Sequence, residues 1–321
     1  MLRIRAELKM QSDLGEFGDQ AIHDVLYRQG VEPLPSVRTI SRILERRGAL
    51  DGRYRLRRPA PPRGWYLPTV ATGQAELDGF DIVEGLIIRG GIGVEVLTAS
   101  SLHGRIVAAW PETAITARVA AETITAHWRT VGLPDYAQFD NDTRFQGPHQ
   151  HADSVGRVSR LCLSLGVVPV FVPPLECGFQ AVIENFNGRW QAKVWSRFQH
   201  VSLQALQAQS AKFITASRRK TAPCAESAPP RRTFPEAWRW EAREQPQGRL
   251  VFLRRTTEAG RVSLLGHTFL VDRAWLHRLV RAEVDLQDQL IRVYALRRRE
   301  PAWQPLLREI PYELPNRPFR I

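Results

Sequence analysis

The chain has 321 residues, 43% hydrophobic and 24% charged, with room for two or three domains and a full-sized core. Its 45 Lys and Arg outnumber 33 Asp and Glu for a net charge of +12, which favours a polyanionic partner through attraction to phosphate and release of condensed counterions. No apolar run approaches the roughly 20 residues of a membrane span, Met1-Leu-Arg-Ile-Arg5 lacks a secretory apolar region, and Cys162, Cys177 and Cys224 form no CxxC, which argues against a zinc site or disulfide framework and suits a reducing cytoplasm.

The charge is unevenly placed. Residues 1–75 hold 13 basic and 8 acidic side chains (+5), residues 76–188 hold 7 and 13 (−6), residues 189–262 hold 15 and 5 (+10), and residues 263–321 hold 10 and 7 (+3). An acidic centre between basic flanks suits a metal-dependent enzyme acting on nucleic acid, whose site holds cations while its flanks hold phosphates. A uniform DNA coat needs no acidic middle.

Residues 1–30 read as helix, with Ala21, Ile22, Val25 and Leu26 at helical spacing and a stop at Gly30. A second helix starts at the N-cap Ser36, carries the stripe Val37, Ile40, Ile43 and Leu44, and stops at Gly48. Arg38, Thr39, Ser41 and Arg42 lie near the start of this helix and include polar positions off that stripe, and Arg46 and Arg47 follow. The pattern predicts a helix-turn-helix over residues 1–56 with the second helix in the major groove; an ordinary amphipathic pair is the plainer alternative. Arg53, Arg55, Arg57 and Arg58 follow, and residues 57–74, with Pro59, Pro61 and Pro62, read as a basic linker. A further DNA-binding unit ahead of residue 1 remains open.

From residue 75, three short apolar runs with tight Gly turns predict an antiparallel meander: Phe80 to Gly91, Val94 to Thr98 and Gly104 to Trp110. A helix over 113–130, a short strand Tyr136–Asp140, a helix over 153–165, a buried strand Val167–Val172 and a helix from near Glu184 through Trp195 complete the order βββ-α-β-α-β-α. Residues 201–245 read as a basic helical linker, its helix followed by an arm that carries Arg218, Arg219 and Lys220 and then Pro229-Pro-Arg-Arg232. Beyond residue 246, Leu250–Leu253, Gly260–Val271, Leu279–Leu286 and Gln289–Leu296 are evenly spaced strands that suggest a small β-barrel over 246–321.

The ordered set of a strand Asp, Asp140-Asn141 after a short strand, the Pro173-Pro174 loop and Glu184-Asn-Phe-Asn-Gly188 opening a helix resembles the catalytic core of DDE transposases and retroviral-type integrases, over residues 75–200. The helix-turn-helix in front matches bacterial insertion-sequence transposases. The resemblance implies an α/β fold, a ribonuclease H-like mixed sheet flanked by helices. It implies Mg²⁺-dependent (or Mn²⁺-dependent) cleavage and transfer of DNA strands at the ends of a mobile element. Three acids, Asp81, Asp140 and Glu184, would bind two ions. It also implies double-stranded DNA as partner, a homo-oligomer on that DNA, a C-terminal barrel and a cytoplasmic, nucleoid-associated place in a bacterium.

The residue types suit that chemistry. Hard divalent cations prefer carboxylate oxygens, and two ions about 3.5–4 Å apart clamp the attacking and leaving oxygens of an in-line displacement. Asp81 is favoured over Asp78 as first acid because it lies inside the predicted strand, whereas Asp78 precedes Gly79; three apart, the two point to opposite faces. For the third acid, the family's spacing of about 35 residues leads from Asp140 to Glu176. Context favours Glu184, on a helix with Asn187 and Gln191 on its face as DNA contacts. Asp142, where the family commonly has Gly, reads as a turn residue, and His149 and His151 as surface loop. The alternative function is a catalytically inactive or domesticated DNA-binding protein on the same fold, with a plain metal-dependent nuclease third.

Overall fold

The computed structural model describes residues 1–11, 17–49, 61–148, 150–176, 178–241 and 243–316; Arg53, Arg55, Arg57, Arg58, His149 and Cys177 lie outside the described residues. The chain divides into Met1–Ala60 and Pro61–Ile321. The first unit holds α1 (Leu2–Gln11), α2 (Asp19–Arg28) and α3 (Val37–Arg46). Ser36 caps α3 as its sequence predicts, its hydroxyl accepting the Thr39 amide at 3.2 Å, and Gly48 leaves the helix at φ +64°. Ile22, Leu26, Ile40 and Leu44 form the core of the unit with Ile4. Arg38, Thr39, Arg42, Arg46 and Arg47 are exposed.

The second unit opens with α4 (Pro68–Ala71) and the meander β1 (Leu77–Ile88), β2 (Ile92–Ser101) and β3 (Val107–Glu112). There follow α5 (Ala117–Val131), β4 (Tyr136–Phe139), α6 (Thr143–Gln146), α7 (Arg157–Ser164), β5 (Val168–Phe171), α8 (Ala181–Trp190) with a π-helical turn Gln191–Trp195, and α9 (Leu203–Glu226). The last strands are β6 (Arg249–Arg255), β7 (Arg261–Leu264), β8 (His267–Leu270), β9 (Leu279–Asp285), β10 (Leu290–Ala295) and β11 (Leu306–Pro311). One mixed sheet runs β11-β10-β9-β6-β5-β4-β1-β2-β3, and β7 pairs with β8 apart from it. β4, β5 and β6 lie parallel to one another and to β1; the outer pairs are antiparallel. One face packs Phe80, Ile124, Trp128 and Leu161 with the body of the core. The other packs Val83, Val96, Ile183, Trp190 and Ile214 under α8 and α9.

The C-terminal strands differ from the barrel expected over 246–321. They form, but β6 joins β5 in the central sheet and the order ends at β11 without closing on itself. The cause is an aromatic row that crosses the strands. Phe80 stacks on Phe139 (5.5 Å), Phe139 meets Phe171 (6.1 Å), and Phe171 stacks on Phe252 (5.2 Å). Such neighbours contribute about 0.5–1.5 kcal/mol per pair beyond the area they bury, so burying Phe252 against Phe171 ties the C-terminal segment to the core. Residues 61–321 are accordingly one compact unit.

The basic segment after residue 201 also differs. Ser217 to Thr221 belong to α9, which has no glycine to stop it and which packs Leu206, Ser210 and Ile214 inward. Pro229-Pro-Arg-Arg232 laces back over the core: Leu133 and Arg232 exchange backbone bonds of 2.8 and 3.0 Å, and the Arg232 guanidinium donates to the Gly166 carbonyl at 2.8 Å. Arg231 donates to both oxygens of Asp78 at 2.9 and 2.6 Å. Trp128 Nε1 donates to the same carboxylate at 3.0 Å.

Two stability measurements follow from this buried cluster. Asp78 is 1% exposed, so Arg231→Met leaves a buried charge unpaired and costs about 3–5 kcal/mol in urea unfolding; Asp78→Asn on top of it recovers part of the loss. His127 stands edge-on to Trp110 at 5.2 Å. Burial pushes its imidazole down to about 4, Arg218 and Arg231 acting the same way and Asp78 opposing. The neutral ring is therefore the native form. Its contribution is complete above the unfolded value of about 6.5 and is lost as pH falls through about 4. His127→Phe reduces the stability lost between pH about 7.5 and 4.5 by about 2 kcal/mol.

Candidate functional site

β1 divides its side chains between two faces. Phe80 meets Trp128 of α5 edge-on at 5.9 Å, and Asp78 bonds the indole of the same Trp128. Gly79 lies on the opposite face, where a Cβ would stand 3.6 Å from Ile183 of α8. Asp81, two residues on, shares that face. Asp78 is thus consumed by Arg231 and Trp128, and Asp81 faces α8, where Asn187 Nδ2 donates to its Oδ2 at 2.7 Å.

β4 supplies the second acid. The parallel register Leu77–Tyr136, Asp78–Ala137, Gly79–Gln138, carried on along both strands, sets Asp81 level with Asp140. Burial pushes the Asp81 carboxyl up to about 6; the charges of Asp140 and Glu184 add to the rise, and hydrogen bonds from Ile82 and Asn187 oppose it. Burial also raises Asp140; the Asp142 backbone amide and the Arg144 charge oppose the rise, and the charges of Asp142 and Glu84 add to it. Glu184 is exposed in the first turn of α8. Asp81 of β1 therefore lies within electrostatic reach of both Asp140, past the end of β4, and Glu184 on α8. Among the described residues no three His, Cys, Asp or Glu side chains stand close enough to enclose one metal ion.

The rival third acid is engaged elsewhere. Glu176 is ion-paired with Arg255 of β6. Asp142 behaves as the turn residue it resembles, capping α6 by accepting the Arg144 amide at 2.7 Å, and His151 is exposed.

Two arginines that sequence patterns do not mark support the acids. Arg144 bonds Asp142 Oδ2 at 2.5 Å and Glu84 Oε1 at 2.6 Å, and lies 3.5 Å from Glu95. It gathers three carboxylates around itself, beside Asp140. Arg254 of β6 is buried and pushed down to about 10 by that burial. It donates to Asn141 Oδ1 at 2.9 Å and to the Val172 carbonyl at 3.1 Å, and Asn141 Nδ2 donates to the same carbonyl at 2.8 Å. This gives the Asn of the Asp-Asn pair a physical role: it fastens the chain just past β4 to the end of β5. No local signal distinguishes Arg254 from Arg255, because the contact joins strands distant in sequence.

The expected DNA contacts separate into two groups. Arg38, Arg42, Arg46 and Arg47 on the first unit and Arg219 and Lys220 on α9 are exposed. Arg218 is half-buried, with Nε donating to the Val107 carbonyl at 2.7 Å, so packing against β3 takes it from the surface. Asn187 is buried against Asp81 and orients a carboxylate instead of facing solvent. Gln191 is half-buried at the end of α8. No helix among the described residues is long and apolar enough to cross a membrane.

No family model matches the chain, and neither does any curated protein. Several solved structures are similar to it. A chain of the simian T-cell lymphotropic virus intasome in complex with PP2A regulatory subunit B56 gamma is 13% identical with a TM-score of 0.39, covering 64% of this chain and 68% of that one. The catalytic core domain of BIV integrase is 15% identical with a TM-score of 0.33, covering 44% and 81%. The HTLV-2 integrase catalytic core domain in complex with magnesium is 11% identical with a TM-score of 0.33, covering 42% and 81%.

Proposed function

We propose that the chain is a divalent-metal-dependent transposase or integrase that cuts and joins DNA strands at the ends of a mobile element. The observation that carries this reading is the set Asp81, Asp140 and Glu184, carried by β1, the end of β4 and α8, in which burial first, and then the charges of Asp140 and Glu184, lift the Asp81 carboxyl to about 6. A cation relieves that repulsion. The donor set is all oxygen, as Mg²⁺ and Mn²⁺ prefer. Asn187 Oδ1, buried beside Asp81 without a hydrogen-bond partner, adds a neutral oxygen that costs about 1–3 kcal/mol to leave unmet.

Asp81, Asp140 and Glu184 would hold the ions. Bound there, the ions would activate the attacking water or 3′-hydroxyl and stabilise the leaving oxygen. The chain's own part is positioning. Asn187 orients Asp81, the Arg254–Asn141 bridge holds the loop after Asp140, and Arg144 draws Asp142, Glu84 and Glu95 to itself. No protein nucleophile is required. The exposed Arg38, Thr39, Arg42, Arg46 and Arg47 of α3 are proposed to read double-stranded DNA, and the chain to act as a homo-oligomer that holds the element ends together.

The second reading, a non-catalytic DNA-binding protein, is favoured by the lack, among the described residues, of three acids close enough together to enclose one metal ion. One assay decides. The purified chain with Mg²⁺ or Mn²⁺ is given DNA bearing the terminal repeats that flank its gene. Nicking and joining are expected, and Asp81→Asn, Asp140→Asn or Glu184→Gln lowers the rate roughly 10²–10³-fold or more, while Glu176→Gln retains it. Salt-sensitive binding without cleavage by the wild type, or equal activity in Asp140→Asn, sinks the catalytic reading.

A further inference from the structure

α8 has two polar flanks. Its buried stripe is Ile183, Phe186 and Trp190. Glu184 and Gln191 fall to one side of that stripe by helical spacing, and Ala181, Val182, Asn185 and Arg189 fall to the other. This second flank lines an open cleft of about 590 Å³ whose far wall is α9.

Four cations line the cleft, each from a different part of the chain: Arg63 ahead of α4, Arg105 between β2 and β3, Arg189 on α8 and Lys220 on α9. No carboxylate lines it. Among the described residues none of the four is in an ion pair, and none has a side-chain hydrogen bond to another residue. Some exposed arginines elsewhere on the chain take acidic partners, as Arg118 takes Glu122 and Arg297 takes Glu300. The segments that carry Arg105 and Lys220 are also tied to each other. Thr221 of α9 donates to the Arg105 carbonyl at 3.1 Å, and the neighbouring Arg218 donates to Val107, so the β2–β3 turn and α9 are fastened together across the cleft.

We infer that this cleft is a seat for the phosphate backbone of a nucleic-acid strand, separate from the carboxylate side of α8. The charge count points to a polymer. One phosphate is satisfied by two or three donors, whereas four cations on four separate elements match successive phosphates. The floor formed by Val107, Val182 and Phe186 is apolar and suits the sugar face between them. The seat and the acids share one helix, so a duplex held by Arg189 is held in register with Glu184. The inference rests on the proposed function for naming the polymer as DNA, and it is tested by a readout independent of strand cleavage.

That readout is the salt dependence of binding. Fluorescence anisotropy with a labelled duplex, without divalent ion and between about 50 and 200 mM salt, gives the slope of log K against log salt, near 0.9 per phosphate contact. Arg105→Gln with Arg189→Gln is expected to lower the slope by about 1.8 and to weaken binding. Arg105→Lys with Arg189→Lys is expected to restore the slope, which a folding defect would not do. An unchanged slope in the Gln pair, with the wild type binding DNA, overturns the seat even if the wild type cleaves. A slope lost in the Gln pair and regained in the Lys pair supports the seat even if the wild type cleaves nothing. A slope that the Lys pair fails to regain, or a wild type that binds no duplex, overturns it.

Discussion

Because side chains alternate across a strand, β1 sends two carboxylates three residues apart to opposite faces of the sheet, and much of the second unit is organised by that separation. Asp78 goes to the face under α5, where Trp128 and Arg231 take both its oxygens. That contact also anchors the segment leaving α9, which returns over the core as far as Leu133 and Gly166. Asp81 goes to the face under α8, level with Asp140 and within electrostatic reach of Glu184. A slip of β1 by one residue would exchange the two faces, exposing the internal ion pair and burying Asp81 against aromatic side chains.

The acidic centre of a basic chain is arranged so that its protein cations serve its edges. Arg144 collects Asp142, Glu84 and Glu95, and Arg254 holds Asn141 and Val172 from within the core. Neither donates to Asp81, whose charge is opposed by burial and by its two acidic neighbours. Paired carboxylates that must ionise together are costly at low dielectric, and the cost disappears when a divalent ion stands between them. Exposed positive charge lines the cleft on the other flank of α8.

Local signals were legible where a residue's partner lies within a few positions. Ser36 accepts from Thr39, Gly48 ends α3 in the left-handed region, and Asp142 caps its own short helix. The meander and the strand–helix order from β1 to α8 follow from apolar period and turn glycines. Signals failed where the deciding partner is distant. Arg231 and Arg232 read as cations on a basic arm, and only Asp78 and the carbonyls of Gly166 and Leu165 show them turned inward. Arg218 reads the same way until Val107 is beside it. β11 went unread because Leu306–Pro311, one-third charged and mostly exposed, has little pattern of its own and is held by pairing with β10.

The sequence by itself determined the elements and the candidate acids, because strand, helix and cap preferences are set by neighbours along the chain and a carboxylate's chemistry travels with the residue. It also separated Asp81 from Asp78, since alternation is a property of any strand. Only the tertiary structure decided what each charge is for. Glu176 is spent on Arg255, Asp78 on Arg231, and Asn187 on Asp81, while Arg105 and Arg189, far apart in sequence, meet across one cleft. Likewise the C-terminal strands chose the central sheet over a barrel of their own, because Phe252 finds its aromatic partner on β5. In each case the deciding energy is a contact between segments brought together by folding, and such contacts leave no period or spacing in either segment alone.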